Sequence, residues 1–324
     1  MPVTVELPKE KWNGKVREIT LGATPAQGGT RASTVTVGGE TTLPFLHFEG
    51  SIPHRPAIAV EIQDVPPHDW STTLREAWDT AANDPVSWAK KAVELGADAL
   101  AVKLRGTHPE RQNRSAAEAA GTVKAVLGAV GVPLIVYGPE LAEKDNEVLV
   151  AVAEAAAGER LALGNCEDKN YRTIVAGALA HGHLVVAKTP IDVNLAKQLN
   201  ILISDMGLPL DRVLMDPTTG ALGYGIEYTY SVMERLRLAA LMGDSMTQQP
   251  MICTVGEESW RQKESKVKDG VPPLWGNFVE RGPLWEMATA MALLQSGADI
   301  LVLRHPKTIK TMRETIDTLM SSST

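Results

Sequence analysis

Two cysteines in 324 residues, Cys166 and Cys253, are too few for a disulfide framework and point to a reducing compartment. They also fall short of the four thiolates that a [4Fe–4S] cluster ordinarily takes. No stretch approaches about 18 uninterrupted apolar residues, so no membrane-crossing helix is expected. The opening MPVTVELPKEKWNGK has neither the apolar centre of a secretion signal nor the Arg-rich pattern of a transit peptide. Runs of five or six like charges are absent, and a net charge of −7 with a pI near 5.6 argues against nucleic acid or an anionic membrane as the main partner. No GxxxxGK[ST] or GxGxxG follows any predicted strand, which disfavours nucleotide hydrolysis and Rossmann-type hydride transfer. A cytoplasmic enzyme or carrier subunit is the expectation that remains.

What is present is ample apolar material, 44% of the chain, arranged as short β-branched runs alternating with alanine-rich helical patterns from Pro56 onward. The predicted strands are Ala57–Gln63, Asp98–Leu104, Pro133–Gly138, Leu161–Asn165, Leu184–Thr189, Val213–Thr218, Met251–Gly256 and Asp299–His305. Eight near-continuous apolar strands, each followed by a helix, predict an α/β fold of the TIM (β/α)8 barrel type. Asp84-Pro85 should start one helix, and the phrase ELGAD (Glu94–Asp98) should end it through its glycine; QSGAD (Gln295–Asp299) repeats that punctuation before the eighth strand. Residues 1–55 read as a β-hairpin extension with short strands in KVREITLG, STVTVGG and TTLPFLHFEG, serving either as a plug under the barrel or as a partner contact. The barrel is expected over 56–320 and a frayed tail over 321–324.

In such a barrel the working face lies at the carboxyl ends of the strands. Those ends read Asp64, Arg105, Tyr137, Asn165, Lys188-Thr189, Asp216 to Thr219, Glu257 and Arg304-His305. A ring of this kind lines a cavity mouth without naming its ligand. His181 and His183 resemble a metal pair but precede a strand, on the stability face, so a zinc hydrolase is disfavoured. Lys188 could form a Schiff base if burial lowered its pKa; pairing with Asp216 or another rim carboxylate is the plainer reading.

Two segments stand out. After Asp216, the stretch PTTGALGYG joins two hydroxyls to Gly220, Gly223 and Gly225, which either let backbone amides approach a bulky ligand or only make tight turns. The helix that follows shows two apolar faces, Ile226–Tyr230–Met233–Arg237–Ala240 and Tyr228–Val232–Leu236–Ala239, one of which should pack on the barrel. The connection Glu257–Gly282 far exceeds an ordinary βα loop and carries Trp260, Trp275 and Phe278, a composition suited to a lid or a docking surface.

The residues DPTTGALGYGIEYTYSVMERLRLAAL, VAKTPIDVNLAKQLN and GEESWRQKES resemble the small subunit of the corrinoid iron–sulfur protein of the acetyl-CoA (Wood–Ljungdahl) pathway, and equally the delta subunit of archaeal acetyl-CoA decarbonylase/synthase. The similarity covers about Ala57 to Leu319 and the β-rich amino terminus. It implies a TIM barrel in a heterodimer with a large corrinoid iron–sulfur subunit, which alone carries the [4Fe–4S] cluster. A cobalamin-type corrinoid would lie between that subunit and the barrel's carboxyl-end face. Through a separate methyltetrahydrofolate methyltransferase the complex would take up a methyl group on cobalt, then pass it to CO dehydrogenase/acetyl-CoA synthase. The lack of a D-x-H-x-x-G motif for a cobalt-ligating histidine agrees with a capping role. The resemblance places corrinoid contacts at Thr218, Thr219, Gly220, Gly223 and Tyr224, with Asn165, Thr189 and Asp216 as rim neighbours, and implies no catalytic residue and no metal ligand in this chain.

Three other readings stay open on the residues. A pterin-dependent methyltransferase would use Asp64, Asn165 and Asp216; an aldolase would use Lys188; a purely structural subunit would touch no cofactor.

Overall fold

The computed structural model describes residues 7–321. Two short strands, β1 (Ile19–Leu21) and β2 (Val35–Val37), pair antiparallel with Ile19 opposite Val37. Eight parallel strands then close a barrel: β3 (Ala57–Gln63), β4 (Ala99–Lys103), β5 (Leu134–Tyr137), β6 (Ala162–Cys166), β7 (Leu184–Lys188), β8 (Val213–Asp216), β9 (Met251–Cys253) and β10 (Ala298–Leu303), with β10 returning to pair with β3. The helices outside them are α1 (Thr72–Trp78), α2 (Pro85–Glu94), α3 (Ala116–Ala129), α4 (Ala142–Ala155), α5 (Tyr171–His181), α6 (Val193–Asp205), α7 (Glu227–Leu241), α8 (Val255–Arg261), α9 (Lys263–Lys266), α10 (Phe278–Gln295) and α11 (Pro306–Ser321). The TIM barrel expected from the strand count is therefore the fold. The main boundary difference is in the seventh barrel strand, which stops at Cys253, so Glu257 stands in the first turn of α8.

Strand parity decides what each residue does. Ala57, Ala59, Ala99, Ala101, Ile135, Ala162, Leu184, Val186, Leu214, Ile252, Ile300 and Val302 fill the barrel interior. Their neighbours of opposite parity, such as Ile58, Val60, Leu100 and Val102, are buried in the layer beneath the helices. Alternation with period two survives inside runs that are apolar on both faces.

Ile19, Leu21 and Val37 of the hairpin belong to the interior cluster, not to the helical layer. The hairpin thus closes the amino end of the barrel. Arg31 fastens it: Nη1 donates to Val130 O at 2.7 Å, Nη2 to Leu127 O at 2.7 Å, and Nε pairs with Glu159 at 2.9 Å. The stretch TTLPFLHFEG forms turns, not the strand its composition suggested. Pro44 interrupts it, and Glu49 draws the segment inward by accepting from Thr42 Oγ1 at 2.8 Å and Glu10 N at 2.8 Å. At the other end, α11 runs through Ser321, and the remainder of the expected tail lies outside the described residues.

The recurring GAD phrase has one structural meaning. Gly96 and Gly297 both take the left-handed conformation after a helix, at φ +92° and +104°. The aspartates that follow both cap an adjacent strand: Asp98 accepts from Ile58 N at 2.8 Å, and Asp299 from Met251 N at 2.6 Å. Asp84 caps α2 by accepting from Ser87 N at 2.7 Å, with Pro85 in the first turn, as expected.

Candidate functional site

At the carboxyl ends of the strands the interior-facing positions change from apolar to charged. Glu61 and Gln63 continue the parity of Ala59, Lys103 that of Ala101, Lys188 that of Val186, Asp216 that of Leu214, and Arg304 that of Val302. The register brings them together, with Gln63 beside Lys103 and Lys188 beside Asp216.

Two ion-pair groups hold this layer. Lys103, 1% exposed, donates to Glu257 Oε2 at 2.8 Å and lies 4.0 Å from the centroid of the Tyr137 ring. Arg105 bonds the other oxygen of Glu257 and reaches Glu140 at 3.2 Å. Burial alone would raise the Glu257 pKa, but Lys103, Arg105 and Arg304 outweigh it and hold the carboxyl well below its usual range. Arg304 donates to Glu61 at 2.6 Å. Sequence reading missed Glu61, Gln63, Lys103 and Glu140; the first three carried a signal, being polar residues at interior parity inside apolar strands.

Asp216 is fully buried. Desolvation raises its pKa, although Lys188, the amide of Thr218 and Lys103 favour the ionised form. Its Oδ1 accepts from Thr218 N at 2.9 Å, while Oδ2 has no partner in the chain. Asn165, which follows a cis Gly164–Asn165 peptide, and Thr189 are also buried, each with an unpartnered side-chain oxygen. These three oxygens are left without a hydrogen-bond partner within the chain.

Burial pushes Lys188 toward neutrality, but Asp216, Glu140 and Glu257 more than reverse that, so its pKa is raised. A charged ammonium is a poor Schiff-base nucleophile, which removes the support for the aldolase reading. Lys188 and Thr189 instead line a cleft of about 510 Å³ with Glu167, Lys169, Thr218 and the α6 residue Leu195. Its size suits a small molecule or a large ligand's edge.

The loop after β8 is strained where it meets this cleft. Thr218, a β-branched residue, has φ +65°, and Ala221 has φ +59°. Thr218 is held by its Oγ1, which donates to Thr189 O at 2.5 Å. Thr229 clamps Gly220 from both sides, its Oγ1 accepting from the glycine N at 3.1 Å and donating to its O at 3.1 Å. The Gly220 amide is therefore spent inside the loop, and Gly223, exposed with φ +87°, serves a turn. Gly223 thus supplies a turn, while Gly225 lets the Tyr228 ring lie against the backbone. Beyond them Tyr224 is 81% exposed and Tyr228 62% exposed.

Of the eight predicted contact residues, Thr189 and Thr218 share the cleft, and Gly223 and Tyr224 are exposed farther along the loop after β8, Gly223 next to Glu264 and Trp285. Asn165, Asp216, Thr219 and Gly220 are buried beneath. The buried face of α7 takes Met233, Arg237 and Ala240 from one predicted stripe and Val232 and Leu236 from the other.

The connection Glu257–Gly282 is largely helical, through α8, α9 and the start of α10. Trp260 is buried, donates to Glu286 Oε2 at 3.0 Å and stacks on His305 with centroids 5.6 Å apart. It is core, not a docking side chain. The exposed apolar groups of this segment are Leu274, 99% exposed, with Val267 and Val279. His183 is buried too: its Nδ1 accepts from Leu161 N at 3.2 Å and its Nε2 donates to Ala153 O at 2.9 Å, so both ring nitrogens are used. Among the described residues no group of three or more His, Cys, Asp or Glu could hold a metal ion, and no helix is long and apolar enough to cross a membrane.

Residues 18–318 match the family model of the CO dehydrogenase/acetyl-CoA synthase delta subunit. The acetyl-CoA decarbonylase/synthase complex subunit delta of Archaeoglobus fulgidus is 38% identical over 319 residues, covering 96% of this chain and 70% of that one. The Methanopyrus kandleri subunit delta is 40% identical over 306 residues, 94% and 75% of the two chains. Among solved structures, dihydropteroate synthase from Coxiella burnetii in complex with pteroic acid superposes with a TM-score of 0.58 at 14% identity, over 87% of this chain and 99% of that one. The Xanthomonas albilineans enzyme gives 0.56 at 16% identity, over 84% and 95%. At such identities the structural likeness speaks to the barrel fold alone.

Proposed function

We propose, for a chain that belongs to the CO dehydrogenase/acetyl-CoA synthase delta subunit family, that its barrel mouth caps a corrinoid held by a larger iron–sulfur subunit in a methyl-carrying heterodimer. The observation that carries this reading is the pairing of the 510 Å³ cleft, lined by Lys188, Thr189 and Thr218, with the exposed Tyr224 and Tyr228 on one carboxyl-end rim. Amide-edged macrocycles need many adaptable donors and acceptors and a flat contact, which hydroxyls, an ammonium and exposed aromatic rings provide. When bound, the corrinoid supplies the cobalt that carries the methyl group.

The chain's own share is to cover that face and exclude water from it. Thr189, Thr218, Gly223 and Tyr224 make the contact surface; Asn165, Asp216, Thr219 and Gly220 support it from below. The larger subunit, the separate methyltransferase and the acetyl-CoA synthase supply the chemistry. Methyl transfer requires the cobalt face to open, so the partner's corrinoid-bearing part moves over a rigid barrel. Leu274, Val267 and Val279 form part of the subunit contact, which should bury well over about 1,000 Å² in total. A reducing cytoplasm suits both the free cysteines and the partner's cluster.

The test uses the heterodimer purified without oxygen. Tyr224→Ala and Thr218→Val should alter the visible absorption and electron paramagnetic resonance of the bound corrinoid while leaving cobalt content intact. Spectra identical to the unaltered pair would remove the cofactor contact and leave a purely structural subunit.

A second reading, a pterin-dependent methyltransferase, draws on one observation: Asp64, Asn165 and Asp216 each keep a buried side-chain oxygen without a hydrogen bond, that of Asp64 facing Arg114 at 3.8 Å. Saturable methyltetrahydrofolate binding by the isolated chain would favour it.

A further inference from the structure

The cleft of about 510 Å³ at the ends of β6, β7 and β8 contains two charged side chains that the chain itself leaves unmatched. Lys188 stands beside Asp216 in the strand register, yet its Nζ makes no hydrogen bond and no ion pair among the described residues. It is only partly exposed and lines the cleft. Asp168, between β6 and α5, is exposed, lines the same cleft and is equally free of side-chain partners among the described residues. Its neighbours Glu167 and Lys169 satisfy each other at 3.0 Å. Pro190, Leu195, Leu199 and Leu202 give the cleft an apolar wall.

The charge around Lys188 decides what its free ammonium can take. Burial opposes that charge, but Asp216, Glu140, Glu257 and Glu167 more than offset it, so the ammonium sits in a negative surrounding. An anionic ligand would meet those carboxylates and Asp168 as well. A cationic one would have nothing to accept from Lys188. A neutral group that accepts at one atom and donates at another answers both free side chains, and a primary carboxamide is such a group. An ester or ketone would leave Asp168 without a donor.

We propose that this cleft is a carboxamide subsite, in which Lys188 Nζ donates to the amide carbonyl, Asp168 accepts from the amide nitrogen, and Leu195, Leu199 and Leu202 cover the alkyl arm that carries it. The inference rests on the capping reading, from which it takes the bearer of the arm, since a corrin ring is edged with acetamide and propionamide chains. It adds a selectivity: this chain accepts the neutral amide and rejects the corresponding acid. The cleft has room for the arm and for the part of the ring edge to which it is attached.

Displacement of radiolabelled corrinoid from the heterodimer, purified without oxygen, tests it. The competitors are cobinamide, whose acidic side chains are all amidated, and its separated monocarboxylic acids, in each of which one amide is hydrolysed. One of these acids should compete roughly tenfold more weakly than cobinamide, and the others like it. Lys188→Met should speed the loss of bound corrinoid roughly tenfold, the effect of one charge-assisted hydrogen bond, and Lys188→Arg, which keeps a charged donor, should recover most of it. Asp168→Asn, at an exposed position outside the strands, should leave the thermal melt unchanged and bring the disfavoured acid to within about threefold of cobinamide. A merely structural role for either residue would move the melt and not the amide-to-acid ratio. All acids competing like cobinamide, or a ratio untouched by Asp168→Asn, would overturn the subsite. If Tyr224→Ala and Thr218→Val still alter the corrinoid spectrum in that case, only the subsite falls. If no variant moves either retention or spectrum, the capping reading falls with it.

Discussion

Lys103 Nζ meets Glu257 Oε2 at 2.8 Å across the mouth of the barrel, joining the end of β4 to the first turn of α8. Because Arg105 bonds the other oxygen of the same carboxylate, Glu257→Gln leaves Lys103 and Arg105 to share Glu140 as their one remaining counter-charge. Glu257 keeps one-fifth of its side chain exposed, so the cost falls toward the lower end for a broken buried pair, about 3 kcal/mol at pH 7. The Glu257 pKa is depressed by the fold, so its contribution is complete above the ordinary value of 4.5 and is lost as pH falls below it. Urea unfolding of both proteins should show a constant gap from pH 6 to 8 that narrows in acid.

His183 gives a second pH signature. Burial lowers its pKa from 6.5 to about 4, outweighing the hydrogen bond to Ala153 O, which favours the protonated ring. A base with a depressed folded pKa binds its proton more readily in the unfolded chain. Stability is therefore complete above pH 6.5 and declines as pH falls toward 4. Between pH 7 and 5 this residue alone should account for a loss of about 2 kcal/mol. In His183→Gln the difference in unfolding free energy between those pH values should shrink by that amount.

The two apolar groups of the α8–α10 segment should behave oppositely. Trp260→Ala opens a cavity beneath His305 and removes one of the three donors to Glu286, costing about 3–5 kcal/mol by denaturant unfolding. Leu274→Asp, at a fully exposed position, should leave stability within about 0.5 kcal/mol and weaken co-purification with the larger subunit.

The amino-terminal hairpin should matter to the barrel as core. Leu21→Ala removes a side chain that reaches the interior cluster, and should cost about 2–5 kcal/mol. A change confined to a detachable arm would leave the unfolding midpoint unaltered.

Much of the barrel was legible because its strands are apolar on both faces and its helices carry explicit punctuation. Asp84-Pro85, ELGAD and QSGAD each became the cap or turn their residues announce. The seventh barrel strand was not delimited correctly because Thr254–Glu257 carries no break between strand and helix. Trp260 was misplaced for a different reason: a tryptophan among charges reads as a surface residue until Glu286, from a helix a full turn of chain away, is seen to accept its N–H. The site was legible only as a list of strand ends. Counting parity from Ala59 and Ala101 would have reached Glu61, Gln63 and Lys103, whereas the partnership of Glu257 with Lys103 needs the closed barrel.

The most direct measurement is the cobalt content and visible spectrum of this chain purified without oxygen, alone and together with the larger subunit proposed as its partner. Cobalt and a corrinoid spectrum in the pair, with a colourless lone chain, is the predicted result. Stoichiometric corrinoid on the lone chain, or methyl transfer from methyltetrahydrofolate by it, would contradict the capping role.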